Sequence, residues 1–415
     1  MPISIVLLQP PGTCSLFTRS RSLYPPLGLC QLVATVPETD AIVLDADGEG
    51  WTDDEALARV LALEPGAVGM TATSYTLDLV EKWAAWLAEM GIRVIVGGPH
   101  ASLAPLDLLA RCPSVEAAVV GEAEPIFPML VERVAHRQAI ADLAGVVTRG
   151  SGTPSDVPRV VDFSGLPFPR FKGLPTGKWW CPDARRRPMV TMATTRGCPH
   201  RCGFCSSPTL LGKKVRGPAV LAVLDELERL QREHGVREIS FVDDVFTIKA
   251  ERTQALCDGI VARGLDLSWF CNARADQVTK PLAAAMARAG CHQVYLGFES
   301  GNQGILDTIR KGATVAELER GAAILKDHGI ARSVGFVLGL PGESEETVAD
   351  SIALAARVQP ERIQFTRFTP LVGSPLAGAV VPTNGFHARR EDAVQRWIDR
   401  CYSALPAQGW GRESW

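Results

Sequence analysis

The 415-residue chain lacks a strong charge of either sign, a long apolar run, an internal repeat and a low-complexity tract. Lys and Arg number 43 against 46 Asp and Glu, a formal net charge of -3. No global electrostatic case then exists for nucleic acid or for an anionic membrane surface, and a small molecule is the expected partner. No segment approaches the roughly 18 uninterrupted apolar residues of a membrane span. The start, Met1-Pro2-Ile3-Ser4-Ile5-Val6-Leu7-Leu8-Gln9-Pro10, has no basic leader and breaks at Pro10, so a first strand in a cytoplasmic protein is expected instead of a signal peptide. A disulfide framework is also missing: Cys14, Cys30, Cys112, Cys181, Cys257, Cys271, Cys291 and Cys401 are scattered singly, as reduced thiols buried like small hydrophobes would be.

What is present is length and apolar content enough for two cores, with 46% hydrophobic residues. From residue 3 to about 135, short apolar runs at 3–8, 42–44, 67–70, 92–96 and 117–120 alternate with amphipathic stretches. Among these, 53–63 places Leu57, Val60 and Leu61 on one face, and 76–90 does the same with Leu79, Val80, Trp83, Trp86 and Leu87. That alternation predicts a parallel sheet covered by helices, with binding loops at the strand ends around Gly12, 71–76, Gly97-Gly98-Pro99-His100 and Gly121-Glu122-Ala123-Glu124. Residues 141–188 are rich in proline and glycine and read as a connector. Six further β/α units follow, with strands near 189–194, 238–242, 267–271, 293–298, 332–339 and 362–368, the pattern of an incomplete barrel. A last helix carries Val394, Trp397, Ile398 and Cys401 on one face.

The exceptional cysteines are Cys198, Cys202 and Cys205, in Cys198-Pro199-His200-Arg201-Cys202-Gly203-Phe204-Cys205. About one chain in a hundred of this composition would show the spacing by chance. Three thiolates fall one short of the four that a closed metal centre takes. A four-iron cluster so held keeps one iron open, and the amino and carboxylate groups of S-adenosylmethionine suit that position. A zinc knuckle with His200 as fourth ligand, or a closed cluster, are the plainer alternatives.

With Phe241-Val242-Asp243-Asp244, Gly297-Phe298-Glu299-Ser300-Gly301, the glycine-rich stretch from Gly335 to Glu343 and that from Phe368 to Pro375 added in chain order, the second half resembles the radical S-adenosylmethionine enzymes. The first half, with Pro25-Pro26-Leu27-Gly28-Leu29, Gly97-Gly98-Pro99-His100, Gly121-Glu122-Ala123-Glu124 and Leu166-Pro167-Phe168-Pro169, is similar to the cobalamin-binding domain that precedes the barrel in one branch of that superfamily. The resemblance implies an α/β chain: a Rossmann-like cobalamin-binding domain over 1–140, a linker over 141–188, a partial (β/α)6 TIM-like radical SAM barrel over 189–376 and a short C-terminal helical tail over 377–415. It implies that Cys198, Cys202 and Cys205 ligate a [4Fe–4S] cluster, and that Phe204, Asp243, Asp244, Glu299 and Ser300 contact S-adenosylmethionine. It places cobalamin against Gly12, Ser74, Tyr75, Gly97, Gly98, His100, Gly121 and Glu122. The Asp-x-His-x-x-Gly motif is missing, so Ser74 and Tyr75 in the loop 71–76 are the candidates for the lower cobalt face. Trp179, Trp180, Cys181 and Tyr295 are substrate contacts guessed from position.

The implied activity is a cobalamin-dependent radical methyltransferase, using a 5'-deoxyadenosyl radical and methylcobalamin between the two domains to methylate an unactivated carbon, or phosphorus, of a compact metabolite such as a natural-product intermediate. A flavodoxin or ferredoxin would supply electrons. The rivals are a radical enzyme of the same architecture doing ring contraction, cyclisation or transfer of another fragment, and a non-enzymatic cobalamin- or metal-binding protein.

Overall fold

The computed structural model describes residues 3–16, 22–152, 157–378 and 386–405. In the first half the apolar runs become strands β1 (Ile5–Gln9), β2 (Ala41–Asp45), β3 (Ala67–Thr71), β4 (Arg93–Gly97) and β5 (Ala117–Val119), with β6 (Val146–Thr148) after them. Their order is β2-β1-β3-β4-β5-β6. All of the pairings are parallel except that β6 runs antiparallel to β5. A parallel sheet covered on both faces needs near-continuous apolar strands, and Ile5, Val6, Leu7 and Leu8 are all buried. The helix Leu77–Glu89 buries Leu77, Val80, Trp83, Ala84 and Leu87, one stripe at helical spacing. Trp83 is wholly buried and meets the ring of Trp86 edge to face, with 5.5 Å between centroids. A capping box between Thr52 and Glu55 starts the helix Asp53–Ala62.

The proline-rich stretch is not all connector. β6 joins the first sheet, and Trp179 is fully buried, its indole Nε1 donating to Asp45 Oδ2 at 2.7 Å. Trp179 is therefore a core side chain of the first unit, not a substrate contact.

The second half contributes β7 (Met189–Met192), β8 (Glu238–Phe241), β9 (Ser268–Ala273), β10 (Cys291–Glu299), β11 (Ala331–Leu338) and β12 (Arg362–Arg367), in sheet order β12-β11-β10-β9-β8-β7. Neighbours in space are neighbours in sequence, as right-handed β/α crossovers wound in one direction require. Phe241, Phe246 and Trp269 pack together with centroids 4.7 to 5.3 Å apart. Near the end of β10 the register with β11 shifts between Gly297 and Glu299, and Glu299 takes a left-handed φ of 66°. A bulge of this kind turns a side chain at a strand end. The chain divides into two compact units, one mainly up to Pro182 and one mainly from Met192 onward. Among the described residues no helix is long and apolar enough to cross a membrane.

Candidate functional site

The thiol-bearing loop leaves the end of β7 and is held at each step by main-chain or buried side-chain contacts. Asp243, just past β8, accepts from the Thr194 amide at 2.6 Å through Oδ1, and from the Thr194 and Thr195 hydroxyls at 2.7 and 2.6 Å through Oδ2. Burial pushes its carboxyl up and these donors pull it back. Arg196 exchanges backbone hydrogen bonds with Arg216, and the Cys198 amide donates to Gly212 O at 3.0 Å. Gly197 sits at φ 96°, where a Cβ would stand 2.4 Å from Lys214 O, so no other residue fits there without moving backbone. The Gly203 amide donates to Ile309 O at 2.7 Å, and Gly203 O accepts from Leu376 N at 2.8 Å.

On this frame Cys198 and Cys202 are buried and Cys205 is half-buried, all with free thiols. Burial pushes the Cys198 and Cys205 thiols up, so bare protein favours protonated sulfur and a metal would have to displace the protons. Among the described residues no three His, Cys, Asp or Glu groups converge as ligands of a single ion. His200 is engaged elsewhere: its Nε2 lies 3.1 Å from Gln277 Nε2, and burial, then Arg274, hold its pKa down. Three thiols carried on one loop, with the His200 Nε2 beside Gln277 instead of a thiol, are a donor set of the kind that holds an iron–sulfur cluster with one open position.

The residues expected around S-adenosylmethionine separate into two kinds. Both oxygens of Asp243 are committed to Thr194 and Thr195, so it shapes the loop. Asp244 accepts from Ser207 Oγ at 2.6 Å through Oδ1, while its Oδ2 is buried without a partner. Desolvation raises its pKa, against the hydroxyl's pull. An ammonium would satisfy both the charge and the open oxygen. Glu299 pairs with Lys311 Nζ at 2.8 Å, both side chains about nine-tenths buried. Ser300 is fully buried at the entry to the helix Gln303–Thr308, accepting from Asn302 N at 3.2 Å, with its hydroxyl 3.5 Å from Ser351 Oγ. Phe204 is half-buried in the loop itself. Tyr295 reaches across to β11, where its hydroxyl occupies the space a Cβ on Gly335 would need.

In the first unit the expected cobalamin residues do gather at the C-terminal ends of parallel strands, the usual ligand edge of such a sheet. Gly12 follows β1, Ser74 and Tyr75 follow β3, Gly97 ends β4 with Gly98 and His100 behind it, and Gly121 and Glu122 follow β5. Gly98, at φ 94°, would carry a Cβ 2.6 Å from Thr71 Cγ2 and 3.0 Å from Ala72 O. Tyr75 is 54% exposed. His100 is buried between Ser74 Oγ at 3.2 Å and Asp107 Oδ2 at 3.0 Å, so both ring nitrogens are occupied by protein. Glu122 is buried too, taking the Val160 amide, while its own amide donates to Pro158 O at 2.9 Å. These two act as struts beneath the loops.

Four residues escaped the sequence reading. Asp47 accepts from the Gly12 and Cys14 amides at 2.7 Å each, which sets the loop after β1. Asp45 gathers Gln9, Gly48 and Trp179, and burial pushes its carboxyl to about 6. Arg274 donates to Cys202 Sγ at 3.7 Å, and Lys311 neutralises Glu299. Only Arg274 left a signal: an Arg-x-Asp step directly after an apolar strand.

Comparison with known proteins agrees with this layout. The model of the radical SAM superfamily matches residues 192–355, and that of the B12 binding domain matches residues 15–131. An uncharacterized methyltransferase of Pyrococcus horikoshii is 32% identical over 389 residues, covering 92% of this chain and 84% of that protein. An anaerobic magnesium-protoporphyrin IX monomethyl ester cyclase of Rubrivivax gelatinosus is 28% identical, over 80% of this chain but only 61% of its own length. In fold, the chain superposes on the radical S-adenosylmethionine methyltransferase TsrM of Kitasatospora setae with a TM-score of 0.75, at 18% identity, over 91% of this chain and 76% of that one. The chain belongs to the cobalamin-dependent branch of the radical SAM enzymes, which work with a [4Fe–4S] cluster, S-adenosylmethionine and cobalamin.

Proposed function

We propose that this enzyme methylates an unactivated carbon, or phosphorus, of a small metabolite, with Cys198, Cys202 and Cys205 holding the cluster. The observation that carries the reading is the pairing of three thiols on one pinned loop with the unpartnered buried oxygen of Asp244. When bound, the cluster supplies the electron that splits S-adenosylmethionine to a 5'-deoxyadenosyl radical, and cobalamin relays the methyl group. Asp243 fixes the start of the loop through Thr194 and Thr195. Asp244 offers Oδ2 to the amino group of S-adenosylmethionine, and Ser207 orients it for that purpose. Glu299, turned by the bulge at the end of β10, and Lys311, from the segment after the helix Gln303–Thr308, offer a carboxylate and an ammonium as a mutually neutral pair. Gly12, Ser74, Tyr75, Gly97, Gly98 and Gly121, at the C-terminal edge of the first sheet, would hold cobalamin, with Ser74 and Tyr75 the side chains offered to it and with His100 and Glu122 bracing the loops. Residues 1–140 then act as the cobalamin domain, 189–376 as the catalytic barrel, and a flavodoxin or ferredoxin in the cytoplasm as the donor of electrons.

Support for methylation over other outcomes comes from the extent of likeness to the Pyrococcus methyltransferase, which is nearly end to end. The similarity to a cyclase keeps a non-methylating radical reaction as the second reading. Anaerobic incubation with cobalamin, reductant and S-adenosylmethionine labelled in its methyl group decides between them. Methylation predicts 5'-deoxyadenosine together with label in a product one methylene heavier. Deoxyadenosine with an unlabelled product of any other mass overturns it in favour of the second reading.

A further inference from the structure

Arg274 stands immediately after β9 and is 5% exposed. A guanidinium so buried needs its donors taken up, and here each edge has a different partner. The Nε and Nη2 edge faces Asp276, at 3.0 Å to Oδ1 and 3.1 Å to Oδ2. Nη2 also donates to Lys311 O at 2.8 Å. That leaves Nη1, on the side away from the carboxylate, aimed at Cys202 Sγ at 3.7 Å. The fork is rigid, so the bidentate grip of Asp276 fixes where Nη1 points. The segment that receives Nη2 also receives the cysteine loop, because Ile309 O accepts from Gly203 N. One short stretch, 309–312, therefore sets both the thiol and the cation facing it.

We propose that Arg274 sets the reduction potential of the cluster by donating to the Cys202 sulfur, with Asp276 as the group that aims it. The inference rests on the proposed ligation by Cys198, Cys202 and Cys205. Reduction by an external low-potential one-electron donor adds one negative charge to the cluster. A charged N–H on a ligand sulfur stabilises that added charge, and hydrogen bonds to sulfur together with local charge are the protein's means of setting cluster potential. Burial makes both effects larger, since little water screens them. Neither residue ligates the iron, so both are positioning residues.

The test is an EPR-monitored redox titration of anaerobically reconstituted enzyme without S-adenosylmethionine, with iron and sulfide counted per chain. In Arg274→Gln the midpoint moves negative, so that at the wild-type midpoint the reduced fraction relative to oxidised falls about tenfold, which is 59 mV for one electron. Arg274→Lys, which keeps the charge, recovers part of the shift. Asp276→Asn keeps one side-chain oxygen for the Nε–H and leaves Nη2 on Lys311 O, so Nη1 stays aimed at Cys202 while a negative charge is lost, and the midpoint moves the other way. A merely structural role for the pair predicts no such opposition of sign. An unchanged midpoint in Arg274→Gln with a full cluster overturns the proposal. If that variant fails to hold iron, an unchanged or negative shift in Asp276→Asn does so instead. Wild-type protein that reconstitutes with no iron and sulfide defeats the ligation reading itself, an outcome separate from either.

Discussion

Replacing Asp243 by alanine leaves three donors without an acceptor: the Thr194 amide and the Thr194 and Thr195 hydroxyls, all within 2.7 Å of its oxygens. At roughly 1 kcal/mol for each hydrogen bond, the local loss is about 3 kcal/mol, near a hundredfold in the opening equilibrium of the loop. The Asp243→Asn variant behaves differently. The amide oxygen of the new side chain still accepts from the Thr194 amide, and its nitrogen donates to two hydroxyls that are free to turn and accept. Hydrogen exchange on the holoenzyme reads the amides of the loop directly. The expected result is that Asp243→Ala speeds exchange at Thr194 about a hundredfold and lowers iron per chain, while Asp243→Asn stays within severalfold of the parent in both. Asp243→Ala with unchanged exchange and iron, but with S-adenosylmethionine binding abolished, would refute the assignment. It would return Asp243 to the ligand contact that the sequence alone suggests.

Lys311→Met strands the buried Glu299 carboxylate and should cost about 3–5 kcal/mol, seen as a lower urea midpoint by circular dichroism; adding Glu299→Gln recovers most of it. Gly197→Ala forces a Cβ against Lys214 O at a positive φ, at a cost of about 1–3 kcal/mol, and should reduce iron retention without changing overall helicity. Asp45 titrates near 6 in the fold against an ordinary 3.8, so the folded chain holds a proton that the unfolded chain releases. That contribution is complete below the unfolded value and is lost as pH rises through about 6, up to about 3 kcal/mol. Urea unfolding followed from pH 4 to 7 should therefore show a weakening in the parent that Asp45→Asn flattens, and parallel profiles would contradict the assignment.

The strands were legible because a covered parallel sheet writes its apolar runs plainly, as in Ile5 to Leu8. β6 was not, since three residues carry too little pattern to stand out from a proline-rich stretch. The thiol spacing of Cys198, Cys202 and Cys205 pointed to the radical SAM superfamily only together with the acidic and glycine-rich segments that follow it in order. The family match over 192–355 agrees with that joint pattern. The roles of the neighbouring acids were hidden for a different reason. Asp243 and Asp244 are adjacent in sequence and alike in type, and only the approach of the loop after β7 decides which of them is saturated. His100 reads as a ligand-facing residue in a glycine loop until Ser74 and Asp107 close on its two nitrogens. Trp179 finds its partner, Asp45, 134 positions away, a distance over which local pattern says nothing. Glu299 depends on a register shift, which leaves no mark on composition.

The most direct test of the central claim is Mössbauer spectroscopy of iron-57 enzyme, reconstituted anaerobically, with and without S-adenosylmethionine. Three thiolate ligands and one open position predict that one iron site of the four changes on addition while the other three hold. A spectrum indifferent to S-adenosylmethionine, or a protein that takes up zinc with no sulfide, would contradict the account.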